Sequence, residues 1–343
     1  MPEANILDLL FSPRTLTETA IKRKAVPRLM QYLFFKRRHT HLTRDIDLRN
    51  VAYPLKVLPM VGERSGAVVI EGTKRALKIV PSARFRPKRV SGANELLYVT
   101  APGEPVELKQ GMGNVEERLK SAIVSDIDIL NDSLELSIEL LCSELLRTGK
   151  VVAHDDDGVD YEVDFGLPAA HTVVLTGTDL WTDAASDPIE ILEECSSAVQ
   201  DACGRRPNVV VHGTGAWQAF RKNKAVKDEL NNRNIDSGTM RTAIGELFKG
   251  NIGNVGHYVY GGSYDDTHGN SRELFPSDYI LMGCTDAPCS VEFGLPADLA
   301  NTGPVEKFVK TVIEDDPSHL AIIEESRPLP VADLDYFCFV KVR

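Results

Sequence analysis

Apolar residues recur along the middle of the chain at Val115, Leu119, Ile123, Ile127, Leu130, Leu134, Ile138, Leu141 and Leu145, always three or four positions apart. That spacing marks one face of a single helix over 114–148. Asn114 is placed to cap its first turn, with Glu117 three residues on, and Gly149 is placed to end it in the left-handed region. At 1.5 Å per residue the helix is roughly 50 Å long. Because β-patterned sequence follows it instead of further heptads, a spine that supports a sheet is favoured over a coiled coil.

Elsewhere the pattern alternates. Val151–His154 and Val159–Phe165 flank Asp155-Asp156-Asp157-Gly158, which predicts a hairpin with Tyr161, Val163 and Phe165 on one face. The three aspartates lack the Glu that a calcium loop carries at its twelfth place, where Gly166 stands. After a linker over 168–186, Asp187-Pro188 predicts a helix start and Gly204 its end. Helical segments Gly213–Arg221 and Ala225–Asn231 lie among short strands at Asn208–Val211, His257–Gly261, Tyr279–Met282 and Ser290–Phe293. Extended segments Lys307–Ile313, Leu320–Glu325 and Tyr336–Val342 follow. The alternation is that of an α+β protein.

The first ninety residues differ. A short helix is predicted near Val26–Arg38, its apolar run Leu29–Phe35 expected to bury on another subunit; an amphipathic membrane helix is the weaker alternative. Residues 51–93 read as an extended, two-stranded excursion through Tyr53–Met60 and Ala67–Ile70, with little core of its own. Basic residues Arg64, Lys74, Arg75, Lys78, Arg84, Arg86, Lys88 and Arg89 crowd it, opposed by Glu63 and Glu71.

Charge sharpens this division. Of 343 residues, the first 90 hold 19 Lys/Arg against 7 Asp/Glu, a net of +12; the remainder hold 20 against 43, a net of −23, which together give the chain's −11. A basic arm on an acidic body suits contact with nucleic acid, contact with a neighbouring copy, or a solvated terminus. No run of 18 apolar residues predicts a membrane span, and no secretory signal is evident. The cysteines Cys142, Cys195, Cys203, Cys284, Cys289 and Cys338 form no CxxC pair and read as buried free thiols of a reducing cytoplasm.

Candidate chemistry is sparse. Val209-Val210-Val211-His212-Gly213-Thr214-Gly215 runs from strand to helix as a dinucleotide loop would, but Gln218 beside Trp217 stands where a third small residue is needed. A tight turn into a helix with Trp217 and Phe220 facing the core is the better reading. His212 reads as a satisfied edge histidine. His39-Thr40-His41 lacks further metal donors. Glu193-Glu194 and Glu324-Glu325 are adjacent and point apart. No phosphate loop or nucleophile elbow occurs, so no catalytic residue, cofactor or metal is expected.

The order of basic arm, basic extended loop, long helix, hairpin, mixed domain and closing strands resembles the major capsid proteins of tailed bacteriophages, in their lambda-like branch. The resemblance rests on Tyr161-Glu162-Val163-Asp164-Phe165-Gly166 with Trp181 after it, on Trp217-Gln218-Ala219-Phe220 through Lys224-Ala225-Val226-Lys227, and on Phe275-Pro276 before Tyr279–Gly283. Pro317 and Ser326-Arg327-Pro328-Leu329-Pro330 with Asp335 complete it. It implies the HK97-like capsid fold. The arm would be 1–50 and the extended loop 51–93. A peripheral domain would take 94–184 and 304–325, and an axial domain 185–303 and 326–343. It implies hexamers and pentamers of an icosahedral head, assembled in the host cytoplasm and enclosing double-stranded DNA without sequence specificity. A separate scaffolding protein, a portal and a decoration protein are the further partners it suggests; a membrane is not among them. Lys74, Arg75, Lys78, Arg84, Arg86, Lys88 and Arg89 are expected at the interface between subunits, where acids must come from elsewhere. The alternatives are a nanocompartment shell of the same fold, a cytoplasmic nucleotide-binding enzyme, and a DNA-binding protein using Arg64–Arg89.

Overall fold

A computed structural model describes residues 28–52, 74–92, 115–154, 160–232, 247–265, 269–301, 303–315 and 318–343. Tyr53–Met60, Ala67–Ile70, Asn114, the turn at 155–159 and Pro317 lie outside the described residues.

The chain begins with α1 (Leu29–Leu33), β1 (Arg37–Thr40), β2 (Asp45–Ala52), β3 (Lys74–Pro81) and β4 (Lys88–Gly92). The long helix α2 (Val115–Thr148) leads into the hairpin β5 (Lys150–His154) and β6 (Asp160–Asp164), then β7 (Thr172–Val174). Next come α3 (Pro188–Cys203), β8 (Val209–His212), α4 (Thr214–Lys222), α5 (Lys224–Asn232), β9 (Phe248–Ile252) and β10 (Val255–Val259). A small hairpin, β11 (Ser263–Asp265) and β12 (Ser271–Glu273), precedes β13 (Tyr279–Gly283) and β14 (Ser290–Phe293). The chain closes with β15 (Phe308–Asp315), β16 (Ser318–Glu325), β17 (Pro328–Val331) and β18 (Phe337–Lys341).

The spine is one unbroken helix of 34 residues. Its predicted stripe is buried from Ile123 to Leu145. The stripe serves two cores. Ile123, Ile127 and Leu130 pack on Val309, Leu320 and Ile322 of the sheet β15-β16-β4. From Leu134 onward the stripe joins the main core. The hairpin also forms as patterned, Val151 opposite Val163 and both buried, with Glu162 and Asp164 exposed.

A six-stranded mixed sheet, ordered β7-β18-β13-β8-β10-β9, organises the rest. Strand β8 is buried at all four positions, as a central strand covered on both faces must be. Helix α3 lies against β18 and β13 of this sheet, with the expected ends: the Asp187 carboxylate accepts from the Ile189 amide at 2.9 Å, and Gly204 stops the helix at φ 75°.

The structure departs from the sequence expectations at four places. The apolar run after Arg28 makes only a five-residue helix, and Leu29, Met30, Leu33, Phe34 and Phe35 are buried in this chain's own core, not left for another copy. Phe34 meets Phe337 edge-on at 5.1 Å, and Gly283 admits the pair, since a Cβ there would stand 2.5 Å from the Phe337 ring. Arg37 and Arg38, read as the helix end, instead open the strand Arg37–Thr40, parallel to β14. The linker contains β7, which extends the six-stranded sheet beside β18, and Trp181, 1% exposed and packed on Phe220 at 5.2 Å.

His212 is the fourth departure: it lies in a central strand, fully buried, 2.8 Å from His257. Burial holds both imidazoles neutral, His257 pulled down to about 4 and His212 well below its ordinary range, with the neighbouring ring as a second cause. Gly213, after it, has a structural use. A Cβ there would lie 2.2 Å from the Pro276 carbonyl oxygen, so the glycine lets strand and loop approach.

Candidate assembly interface

Two features of the first ninety residues meet the spine helix: the docked arm and the base of the basic ribbon. The arm is held by a polar seam. Asn131, Glu135 and Glu139 follow one another at four-residue steps along α2, so they share a face, and all three are buried. Glu139 accepts the Met30 amide at 2.8 Å, the Gln31 amide at 3.1 Å and the Tyr260 hydroxyl at 2.8 Å. It satisfies amides at the start of α1 that have no partner within the helix. Burial raises its pKa, and these donors partly offset the rise.

One turn earlier, Arg38 donates to both Glu135 oxygens at 3.1 and 2.8 Å, and also reaches Gln31 and Glu306. Lys307 joins from the other side, 2.9 Å from Glu135 and donating to Asn131 at 2.9 Å. Burial alone would push the Glu135 carboxyl up; Arg38 and Lys307 outweigh it and hold the group below its usual range. Glu324 faces the same seam, where the pull of Lys307 does not offset its burial. It is fully buried, neither carboxylate oxygen has a hydrogen-bond partner among the described residues, and burial lifts its pKa to about 7.

The ribbon pairs β2 with β3 antiparallel, from Asp45 opposite Pro81 to Ala52 opposite Lys74. Its base is pinned by Ile46 and Val80, both buried. Lys74, Arg75 and Lys78 lie on β3, farther from that base. Of the other basic residues, Arg84, Arg86 and Arg89 find acids on this chain's own body. Arg84 makes a two-pronged contact with Glu325 at 3.0 and 2.7 Å. Arg86 lies 3.5 Å from Glu325 and 3.8 Å from Asp298. Arg89 pairs with Asp126 of the spine, which also accepts from the Ser91 hydroxyl at 2.7 Å. Glu325 would be raised by burial, but Arg84 outweighs this and holds it ionised. Lys88 starts β4, which pairs with β16 opposite Ile323. The seven basic residues thus divide: Arg84, Arg86, Lys88 and Arg89 belong to the segment that leads into and opens β4 on the body, while Lys74, Arg75 and Lys78 belong to β3 of the ribbon.

A family model for phage major capsid protein E matches residues 12–342. The chain belongs to that family. The major capsid protein of Escherichia phage lambda is 27% identical over 273 residues, which cover 76% of this chain and 80% of that one. The major capsid protein of Escherichia phage N15 is 28% identical over 192 residues, and this match spans about half of each protein, 53% of this chain and 56% of the other. Among solved structures, one assigned as the capsid protein of a prophage of E. coli CFT073 superposes with a TM-score of 0.72 at 19% identity, covering 99% of both chains. This last likeness establishes that the two chains share one fold over nearly their whole length. Of the readings weighed from the sequence, the family match supports the phage head.

The sequence reading missed the residues of the seam. Their signal was present as a second stripe, Asn131, Glu135 and Glu139, one position after the apolar residues Leu130, Leu134 and Ile138. A polar stripe beside an apolar one reads as a solvated helix face until the arm is known to cover it.

Proposed function

We propose that this capsid subunit assembles as hexamers and pentamers of an icosahedral head around double-stranded DNA, and that the outer part of the ribbon, with Lys74, Arg75 and Lys78, lies across an acidic neighbour. The observation that carries this is the ribbon itself. Among the described residues, strands β2 and β3 pair only with each other, and an isolated two-stranded ribbon is barely stable in water. A neighbouring copy with its excess of acidic residues supplies the missing support. In this arrangement Arg84, Arg86, Lys88 and Arg89 anchor the ribbon to its own body. Residues 94–184 with 304–325 form the peripheral domain around the spine, and 185–303 with 326–343 the axial domain around the six-stranded sheet. A separate scaffold, a portal and a decoration protein are the partners of such a head, and the chain has no catalytic or cofactor-binding part in it. The head is the virion capsid, put together in the host cytoplasm.

The test is to express the chain with its scaffold and count particles by electron microscopy before DNA enters. Wild type should form megadalton shells, and K74E/R75E/K78E should form few or none. Normal numbers of empty shells from that variant would overturn the ribbon interface and turn attention to contact with DNA. A soluble monomer of about 38 kDa that binds a nucleotide would overturn the shell reading.

A further inference from the structure

The six cysteines are far apart in sequence, yet the fold brings four of them together in two neighbouring pairs. Cys195 on α3 and Cys338 on β18 are neighbours where that helix packs on that strand, and Cys203 and Cys284 are neighbours that reach the carbonyls of adjacent residues. Cys142 and Cys289 are buried in the same core. All six are free thiols, and Cys203 alone is not buried.

The register explains the two pairs. Strands β13 and β18 run antiparallel with Met282 opposite Cys338 and Gly283 opposite Phe337. One residue past Gly283, Cys284 therefore falls on the same sheet face as Cys338, because cross-strand partners share a face and positions two apart repeat it. Helix α3 packs on that face. Its Cys195 and Cys203 are eight residues apart, about 12 Å along the axis, so the two pairs stand at different heights on one helix. At the outer pair, both thiols donate to one turn: Cys203 to the Arg205 carbonyl at 3.5 Å and Cys284 to the Arg206 carbonyl at 3.5 Å.

We propose that Cys203–Cys284 and Cys195–Cys338 are two latent disulfide sites, reduced while the subunit folds and assembles, and closed by oxidation after the head leaves the reducing cytoplasm. The inference rests on the proposed virion role for its occasion, but its chemistry needs only the folded chain and an oxidised low-molecular-weight disulfide. The Cys203 sulfur, the accessible one, attacks that disulfide as its thiolate and releases one thiol. Cys284 then attacks the resulting mixed disulfide and releases the second. The protein loses two electrons and two protons, and the reagent is reduced to two thiols. The inner pair follows more slowly, when α3 opens locally. One bond would tie α3 to β18, the other to the residue just past the end of β13.

The experiment uses the full chain purified under reductant, as free subunits and as shells. Oxidised glutathione is added, and free thiols are alkylated under denaturant at intervals and read by intact mass and non-reducing peptide mapping. Alkylated cysteines should fall from six to four and then to two, with Cys203–Cys284 appearing first, Cys195–Cys338 second, and Cys142 and Cys289 alkylated throughout. In C203S the outer bond should be lost while the inner one still forms. Six alkylated cysteines after prolonged oxidation, the inner bond forming ahead of the outer, or Cys284 pairing elsewhere in C203S would each overturn the proposal. Bonds formed by free subunits that make no shells would sustain the disulfide sites while refuting the shell reading, so the two fail separately.

Discussion

The six-stranded sheet and the seam on the spine helix are both buried, but they are sealed by opposite means. Around the sheet, Trp181, Phe220, Phe337 and the valines of β8 fill space with apolar and aromatic side chains, and even the His212–His257 pair is held neutral. Along the spine, the arm is fastened by Arg38, Glu135, Glu139 and Lys307, groups that would each be costly to bury alone. Apolar packing tolerates many arrangements of similar volume, whereas a buried ion pair tolerates only the partner that completes it. The sheet is thereby built for permanence. The seam is built to accept one segment in one position.

The comparison can be broken most directly at the sheet. Trp181→Ala should cost about 3–5 kcal/mol, read from urea unfolding of the purified chain. A loss under about 1 kcal/mol would mean that the segment 168–186 is only draped on the core.

Acid should distinguish the two regions next. His257 is held near 4 in the folded chain against an ordinary 6.5. Between those values the unfolded chain takes up a proton that the folded chain refuses, so stability should fall as pH drops from 6.5 toward 4. The loss from this group is on the order of 3 kcal/mol, and His257→Phe should remove this share of the pH dependence while leaving that of the buried His212. A midpoint that is flat from pH 7 to 5 would contradict the dry histidine pair.

Glu324 runs the other way. Its folded value of about 7 exceeds its ordinary 4.5, so the folded chain keeps a proton that the unfolded chain has lost, and stability from this group declines as pH rises from 4.5 through 7. Glu324→Gln should therefore stabilise at pH 8, by on the order of 2 kcal/mol, and change little at pH 5. Equal effects at both pH values would show that the carboxylate has found a partner. Smallest of all, Arg84→Ala should cost only ~0–1 kcal/mol, because the Arg84 side chain is 40% exposed and Arg86 remains beside Glu325. Chemical denaturation of the two variants side by side would set the buried carboxylate against the surface pair.

What the sequence disclosed was local. The spine, the α3 helix with Asp187 and Gly204 at its ends, and the hairpin after Lys150 are each specified within a few turns of chain, by period and by capping chemistry. What it concealed was pairing at long range. Nothing in Arg37–Thr40 indicates a strand whose partner is Ser290–Phe293, and Arg84 shows no sign that its carboxylate sits 241 residues away. The basic cluster was therefore visible as a charge excess, but its division into an anchored base and an outlying ribbon was not. Trp181 was hidden for a related reason: scattered Ser, Thr and Asp around it read as a linker, and only the packing of Phe220 and the Val342 carbonyl, which accepts its amide at 3.0 Å, shows where it belongs.

Strand β18 lies inside the six-stranded sheet, between β7 and β13, and its Phe337 receives Phe34 from the arm. It is also the last of the described strands to leave the ribosome. At about 5–20 residues per second, the arm emerges well before the surface that will hold it exists. Until β18 arrives, β7 and β13 have no common neighbour and the arm has no complete berth. Synthesis itself thus imposes an order of events, in which a chain broken off early lacks the keystone of its sheet and cannot present a finished subunit to a growing shell.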